Sequence, residues 1–200
     1  MRVYAVRLYS FLRLLIMWPC RLLFRMRIKG RENVPEGAFL MCANHLSFAD
    51  PVLCAVAIKT PIRFVARADL KKHAFLRLVF RAAGVVPINR GAADVNALRS
   101  CVEAIEKGDS IGIFPQGTRI RSEKPVPEDA RAGLGLIALH THASVLPVSL
   151  ITKCNRIRPF TKVTVVIGKP IPYEAYSSAG SMSRKDVSVY CFAKVCEQFD

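Results

Sequence analysis

The chain has 200 residues, enough for one domain with a substantial buried core. Half of them are apolar (52%), and 30 lysines and arginines against 15 acidic residues give a formal net charge of +15. A partner that is both anionic and apolar, such as a phospholipid surface, fits this composition. Nucleic acid fits the charge alone, but the sequence has neither an RNP-like aromatic motif nor zinc-finger spacing, so we rank it below a membrane.

Residues 1–31 carry eight lysines or arginines and no acidic residue, interleaved with Trp, Phe and Leu. The longest uncharged run, LLIMWPC, is far shorter than the ~20 residues that span a bilayer. A basic amphipathic segment of this kind is typical of a helix in the membrane interface, and Pro19 should kink it or divide it into two pieces. An ordinary helix packed on the domain is the alternative. We expect residues 1–30 to associate with a membrane and residues 31–200 to form the main domain.

From about residue 38, short apolar runs alternate with helix-like segments. This alternation predicts a single α/β domain with a mostly parallel central sheet flanked by helices. The predicted strands are residues 38–43, 62–66, 85–88, 110–114, 145–150 and 162–168. The predicted helices are residues 51–59, 73–83, 94–107, 130–141 and 184–198. Residues 121–129, RSEKPVPED, predict an exposed loop.

The seven cysteines predict free thiols in a reducing compartment. Their number is odd and no Cys-x-x-Cys pair occurs, which argues against a disulfide framework or a zinc site. His140 and His142 could suggest a metal pair, but no third ligand lies near them in sequence, and the end of a helix explains them better. We therefore expect no metal.

Three polar clusters follow predicted strands, at the edge where ligands of α/β proteins bind. The first is NHLSFADP, residues 44–51. Asp50 before Pro51 predicts a helix start with Asp50 as N-cap, which leaves His45 in the preceding loop. A neutral imidazole can take a proton from an alcohol, and a carboxylate on its other nitrogen fixes its tautomer. His45 and Asp50 are therefore candidates for a general base and its partner; a helix cap and a loop histidine would explain the same residues.

The second cluster is GVVPINRG, residues 84–91, and the third is FPQGTR, residues 114–119. Glycine amides, a threonine hydroxyl and a forked guanidinium group can together bind an anion such as phosphate. Ordinary exposure to solvent is the alternative for either arginine. The one Gly-x-Ser-x-Gly match, GDSIG at residues 108–112, opens a predicted strand and does not follow one, so it is not a nucleophile elbow. A hydroxyl to be activated would therefore belong to a substrate.

These blocks resemble the glycerolipid (lysophospholipid) acyltransferase family typified by 1-acylglycerol-3-phosphate acyltransferase. NHLSFADP is similar to the first block of that family, Asn-His-x-Ser-x-x-Asp-Pro, at every fixed position, and GVVPINR is similar to the second, Gly-x-x-x-x-x-Arg. FPQGTR resembles the third, Phe-Pro-Glu-Gly-Thr-Arg, with Gln116 in place of glutamate. VLPVSL, which contains Pro147, resembles the fourth. The resemblance extends over about residues 28–171.

The resemblance implies acyl transfer from acyl-CoA or acyl-carrier protein to the free hydroxyl of a lysophospholipid, above all 1-acylglycerol-3-phosphate, which gives phosphatidic acid. It implies that His45 is the general base and Asp50 its charge partner. No cofactor is implied beyond the acyl donor as co-substrate, and the expected place is the cytoplasmic face of the cell membrane. The residues implied to contact substrate are Asn44, Ser47, Arg67, Arg90, Gln116, Gly117, Thr118, Arg119 and Pro147.

Three other activities stay open at this point: acylation of a different lysolipid, binding of phospholipid without catalysis, and hydrolysis of the thioester by water. Intact His45 and Asp50 argue against simple binding, because phosphate binding requires neither. Gln116 removes a charge, and we expect it to affect the choice of acceptor more than the chemistry, since an amide can still orient a hydroxyl. Arg67 stands where relatives often have lysine, and the two differ in their contacts with phosphate.

Overall fold

The computed structural model describes residues 14–69, 84–88, 95–177 and 182–199. Its strands are β1 (Arg27–Lys29), β2 (Leu40–Ala43), β3 (Ile62–Arg67), β4 (Val86–Ile88), β5 (Ser110–Ile113), β6 (Val145–Ile151) and β7 (Thr164–Ile167). Its helices are α1 over residues 14–24, α2 (Asp50–Ala57), α3 (Val95–Glu106), α4 (Gly133–Thr141), α5 (Tyr173–Ser177) and α6 (Arg184–Cys196). Single 3₁₀ turns lie at Arg31–Asn33, Pro127–Asp129 and Glu197–Phe199.

The described strands form a seven-stranded sheet in the order β1-β7-β6-β2-β5-β3-β4. The strands from β6 to β4 in this order all run parallel. Only the other end differs, because β7 is antiparallel to β6 and β1 pairs with β7. The predicted α/β class with a mostly parallel sheet is confirmed. Since β2, β3, β4 and β5 share one direction, the clusters that follow them begin at one edge of the sheet.

Helices cover both faces of the sheet, and the alternating side chains of β2 contact both layers. Leu40 and Cys42 pack in the hydrophobic cluster that includes residues of α3, α4, α5 and α6. Met41 and Ala43 pack in the opposite cluster, with residues of α1 and α2. All four side chains are fully buried. The segment that follows β2 therefore starts from a strand that is fixed on both sides.

The six predicted strands are all present, with ends within two residues of the prediction. Four of the five predicted helices are present, with ends within three residues, and the fifth, 73–83, lies outside the described residues. The sequence analysis missed β1 and α5. They have three and five residues, which is too short to show a helical or strand period. β1 lies inside the basic segment 1–30 and pairs with β7.

Pro19 does not divide the N-terminal segment, since α1 is continuous across it. Proline lacks an N–H, so it removes one backbone hydrogen bond from the helix, while the bonds of neighbouring turns still form. One side of α1 packs on the domain, through Met17, Cys20 and Phe24. No helix within the described ranges is long and apolar enough to cross a bilayer.

The other side of α1 is an exposed apolar surface. The side chain of Trp18 is 71% exposed and that of Leu22 is 79% exposed. Large apolar side chains that face solvent in a group mark an interaction site. The exposed apolar residues of α1 are Leu14, Leu15, Ile16, Trp18, Leu22 and Leu23.

Candidate active site

His45 and Asp50 are in contact just beyond the carboxyl end of β2. The strand ends at Ala43, and α2 begins at Asp50. Nδ1 of His45 lies 2.6 Å from Oδ2 of Asp50. Because a carboxylate can only accept, Nδ1 carries the hydrogen, and Nε2 is left as the basic nitrogen. The loop thus brings together the two residues predicted to be base and partner.

The carboxylate of Asp50 is fully buried and is oriented by the loop that carries His45. Its Oδ2 also accepts hydrogen bonds from the backbone N–H groups of Leu46, at 2.6 Å, and Ser47, at 2.7 Å. Asp50 is therefore not the N-cap that the sequence predicted: it is the first residue of α2, and Ala49 is the N-cap. The loop folds back over the helix start, so the carboxylate binds loop amides instead of helix amides.

The imidazole of His45 is held by aromatic packing as well. Its ring stacks on Phe114, with centroids 4.3 Å apart and planes 20° apart. Phe114 in turn packs on Phe64 of β3, at 6.0 Å. A Cβ atom at Gly112 of β5 would lie 2.7 Å from the Phe64 ring, so the absence of a side chain there makes room for the stack. With its side chain 19% exposed, His45 keeps an accessible edge in a fixed orientation.

Gln116 joins the third cluster to the first and is only 3% exposed. Its Oε1 accepts the backbone N–H of His45 at 2.8 Å, and its Nε2 donates to Oδ2 of Asp129 at 3.2 Å. Oδ2 of Asp129 also accepts the N–H of Val126 at 3.3 Å. Gln116, predicted as a substrate contact, thus uses both amide atoms within the protein. A neutral amide suits this place, because a glutamate would set a second carboxylate beside Asp129.

The turn after β5 exposes Gly117 and Thr118, and the guanidinium group of Arg131 lies beside it. Gly117 has φ +68°, a conformation that favours glycine, and a Cβ there would lie 3.0 Å from Nε of Arg131. The backbone N–H of Arg131 donates to the carbonyl of Pro115 at 2.8 Å, which holds Arg131 next to the turn. The sequence analysis missed Arg131, because nothing in residues 121–131 indicates that the loop returns to this point.

The other predicted arginines have different surroundings. The guanidinium of Arg119 lies over the ring of Phe48, 3.7 Å from its centroid, and Phe48 is exposed. Arg67, at the end of β3, makes two hydrogen bonds to the carboxylate of Asp69, one of them at 3.0 Å from Nε to Oδ1. Its charge is therefore shared with a carboxylate. Arg90 lies outside the described residues.

Asn44, Ser47 and Pro147 support the site from within the protein. Asn44 is fully buried, and its amide accepts the N–H of Leu150 at 2.7 Å and donates to the carbonyl of Leu150 at 3.0 Å, which fixes the chain just before His45. Oγ of Ser47 accepts the N–H of Ala49 at 3.2 Å. Pro147 is buried in β6. Contact of these three residues with substrate stays a prediction.

His140 and His142 lie at the end of α4, as predicted. His142 follows the helix as its C-cap, with φ 52°, and its ring packs on Tyr173 at 4.1 Å. Within the described ranges, no group of three histidine, cysteine or acidic side chains is placed to hold a metal ion.

Comparison with known proteins places this site in a family. The family model described as Acyltransferase matches residues 25–151. The 1-acyl-sn-glycerol-3-phosphate acyltransferase of Borreliella burgdorferi is 32% identical over 138 residues, which are 64% of this chain and 52% of that protein. The lyso-ornithine lipid O-acyltransferase of Pseudomonas aeruginosa is 30% identical over 129 residues, 64% of this chain and 47% of that protein. The chain spans about half the length of the curated relatives it matches.

A solved structure shares the fold. The crystal structure of the 1-acyl-sn-glycerophosphate (LPA) acyltransferase PlsC from Thermotoga maritima matches with a TM-score of 0.76 and 25% identity. The match covers 98% of this chain and 79% of that chain. Because the family match begins just before β1, ends with the last residue of β6 and includes the whole His45 loop, the chain belongs to the acyltransferase family.

Proposed function

We propose that the chain transfers an acyl group from acyl-CoA or acyl-carrier protein to the free hydroxyl of 1-acylglycerol-3-phosphate, giving phosphatidic acid. The 2.6 Å contact between Nδ1 of His45 and Oδ2 of Asp50, at the ligand-binding edge of the sheet, carries this proposal. The relative from Borreliella burgdorferi is named for this reaction. A different lysolipid acceptor is the second candidate, because the relative from Pseudomonas aeruginosa is named for transfer to lyso-ornithine lipid.

In the proposed reaction, Nε2 of His45 takes the proton of the acceptor hydroxyl while the hydroxyl oxygen attacks the thioester carbonyl. The tetrahedral intermediate then expels the thiolate, which takes the proton back from the imidazolium. The buried carboxylate of Asp50 stabilises the imidazolium while it exists. A general base contributes about 10²- to 10⁴-fold, so orientation of the two substrates and stabilisation of the oxyanion must supply the rest.

This reaction needs no acyl-enzyme, and the buried thiols of the domain are poor nucleophiles. Burial raises the pKa of Cys42 and of Cys54 well above that of an ordinary thiol. It also raises the pKa of Cys101 to about 11 and that of Cys191 to about 12. A thiol with a raised pKa is protonated at neutral pH and attacks a thioester slowly. Direct attack by the acceptor hydroxyl is therefore the simpler route.

For the phosphate of the acceptor we propose the turn of Gly117, Thr118 and Arg119, together with Arg90. The phosphate of 1-acylglycerol-3-phosphate sits on the carbon next to the one that carries the hydroxyl, so it must bind close to His45. The turn meets this condition, because the N–H of Ile120 donates to the carbonyl of His45 at 2.9 Å. Arg131, beside Gly117, adds a second fork of N–H donors within the described residues.

We also propose that α1 holds the domain on the cytoplasmic face of the membrane. The helix exposes six large apolar side chains and the cation Arg21, and the exposed Arg25 follows it directly, which suits an interface of lipid tails and phosphates. Peripheral binding would keep the acyl chains of the substrate near the bilayer. All seven cysteines are free thiols, which fits a reducing compartment.

The test supplies vesicles that contain 1-acylglycerol-3-phosphate together with either acyl donor, and measures released thiol and lipid products by mass spectrometry. We expect equal amounts of thiol and phosphatidic acid. Thiol release without added lysolipid would indicate hydrolysis, and vesicle binding without thiol release would indicate a lipid-binding protein. A parallel assay replaces the acceptor with lyso-ornithine lipid, and a product from that lipid alone would favour the second candidate. Trp18 is the only tryptophan of the chain, so its fluorescence should shift to the blue on vesicles; an unchanged spectrum would contradict the membrane assignment.

Replacement of Gln116 by glutamate should lower acyl transfer about tenfold or more, because a second carboxylate beside Asp129 removes a hydrogen bond and adds repulsion. The backbone N–H of His45 donates to the side chain at position 116, so repulsion that displaces this side chain also displaces His45. The measurement is kcat/KM relative to that of the unchanged chain.

Asp129 supplies the matched control. Asp129→Asn alone keeps a side-chain oxygen for Nε2 of Gln116, so it should change little. In the double variant Gln116→Glu/Asp129→Asn, the amide of the new asparagine can donate to the new carboxylate. We expect the double variant to recover the activity of the unchanged chain. Equal impairment of the single Gln116→Glu and double variants would contradict this role of the pair.

A further inference from the structure

Three arginines line a cavity beside the His45 loop. The cavity has a volume of about 330 Å³, and its walls include Leu46 and Ser47 of that loop, with Arg121, Arg156 and Arg158. Arg121 lies two residues beyond the turn after β5, and the other two arginines lie in the loop after β6. The cavity therefore lies between three loops that all begin at the carboxyl edge of the sheet.

Backbone hydrogen bonds fix these loops to one another. The N–H of Ser122 donates to the carbonyl of Asn155 at 3.0 Å, which ties the Arg121 loop to the Arg156 loop. Ser122 has a positive φ of 70°, a conformation that serine keeps only where its surroundings require it. Asn155 has φ 45°, which asparagine adopts more readily. Oγ1 of Thr152 accepts the N–H of Arg156 at 2.9 Å, which closes the second loop on itself. The arginines are thus brought together by a defined backbone arrangement.

The charge of this cavity is not balanced within the part of the chain that the structure describes. Arg121, Arg156 and Arg158 form no ion pair there. The nearest carboxylate in sequence, that of Glu123, is exposed and does not line the cavity. Three guanidinium groups at one cavity repel each other and bind an anion favourably, and their forked N–H groups match the oxygen atoms of phosphate.

We propose that this cavity binds the phosphate of the pantetheine arm of the acyl donor. The proposal rests on the acyl transfer proposed above, in which both substrates carry phosphate and both must reach His45. The acceptor phosphate lies next to the reacting hydroxyl and needs a site at the turn of Gly117 to Arg119. The donor phosphate is separated from the thioester by the whole pantetheine arm. The arginines of the cavity lie beyond that turn and beyond the end of β6, so they can hold a second phosphate while the turn holds that of the acceptor.

The experiment compares acyl-CoA with acyl-pantetheine, which has the same thioester but no phosphate. In the triple variant Arg121→Gln/Arg156→Gln/Arg158→Gln, we expect the KM for acyl-CoA to rise about tenfold or more. The kcat/KM for acyl-pantetheine and the KM for 1-acylglycerol-3-phosphate should not change. The control variant Arg99→Gln/Lys107→Gln/Arg184→Gln removes the same charge from α3, α6 and the turn after α3, and should behave like the unchanged chain.

The other outcomes overturn the proposal. An increase in the KM for 1-acylglycerol-3-phosphate with both donors would make the cavity an acceptor site. Equal losses with both donors together with weaker vesicle binding, measured by Trp18 fluorescence, would make it a contact with lipid head groups. Unchanged kinetics with acyl-CoA would show that no phosphate of the donor binds there.

A binding measurement tests the cavity even if the chain transfers no acyl group. Calorimetric titration with CoA, 4′-phosphopantetheine and pantetheine measures the phosphate contribution directly. We expect the first two to bind the unchanged chain and to lose about tenfold or more in affinity in the triple variant, whereas pantetheine binds both weakly and alike. A loss confined to CoA would place a nucleotide phosphate in the cavity and would contradict the assignment to the arm. Equal binding of phosphopantetheine and pantetheine to the unchanged chain would contradict it as well.

Discussion

His45→Ala should abolish acyl transfer while the chain still folds and binds vesicles. The substitution removes the only group that the proposed reaction uses to accept the proton of the acceptor hydroxyl, and a general base accounts for about 10²- to 10⁴-fold in rate. The backbone of residue 45 keeps its bonds to the side chain of Gln116 and to the N–H of Ile120, so the loop retains two of its anchors. The measurement is released thiol and phosphatidic acid per enzyme over a time long enough to detect a rate about 10⁴-fold slower.

Two controls show that the loss is chemical. The midpoint temperature of thermal unfolding should fall only modestly, because the substitution removes a partly exposed side chain with one aromatic contact and one hydrogen bond. The fluorescence of Trp18 on vesicles should match that of the unchanged chain. Transfer that survives in His45→Ala at a similar rate would exclude His45 as the general base, and the acyltransferase proposal would then need another base.

Asp50→Asn should lower kcat about 10²- to 10⁴-fold with little change in KM for either substrate. The asparagine oxygen can still accept from the N–H groups of Leu46 and Ser47, and it is nearly the same size as the carboxylate. What it lacks is the negative charge that stabilises an imidazolium at His45. If its amide nitrogen faces Nδ1 instead, it donates there and moves the ring hydrogen to Nε2, so the base is lost by the other route.

The structure makes this substitution a clean test of charge. Oδ1 of Asp50 has no hydrogen-bond partner among the described residues, so an amide nitrogen can occupy its place without breaking a bond. Asp109→Asn is the matched control, because Asp109 lies just before β5, at the opposite edge of the sheet, and pairs with Arg63. We expect full activity from the control. An Asp50→Asn variant with unchanged kcat would reduce Asp50 to a structural residue of the loop.

The contact of His45 with Asp50 could be predicted because it is local. Four residues separate the two, and Asp50-Pro51 predicts a helix start that forces the chain to turn between them. The same local reasoning predicted the wrong cap position. It could not foresee that the loop folds back and offers the carboxylate two amides of its own, at Leu46 and Ser47.

The remaining contacts of the site depend on which strands are neighbours. Phe114 and Gln116 reach His45 because β5 pairs with β2, across about 70 residues of sequence. Arg131 reaches Gly117 because the loop after the turn returns to it. The alternation of short apolar runs with helix-like segments predicts that strands exist and that they are parallel, but it does not give their order in the sheet. The sequence therefore identified the two residues that we propose as base and partner, and the structure was needed to find what orients them.

The close approach of Gly112 to Phe64 has a consequence for how such a chain can evolve. The Phe64 ring occupies the space that a side chain at 112 would need, and the same ring supports Phe114 behind His45. The two positions therefore share one fixed volume. A lineage that gains a side chain at 112 must shrink the one at 64, and it then has to find another support for the imidazole of His45. Sequence drift in the middle of the sheet is thereby constrained by chemistry at its edge.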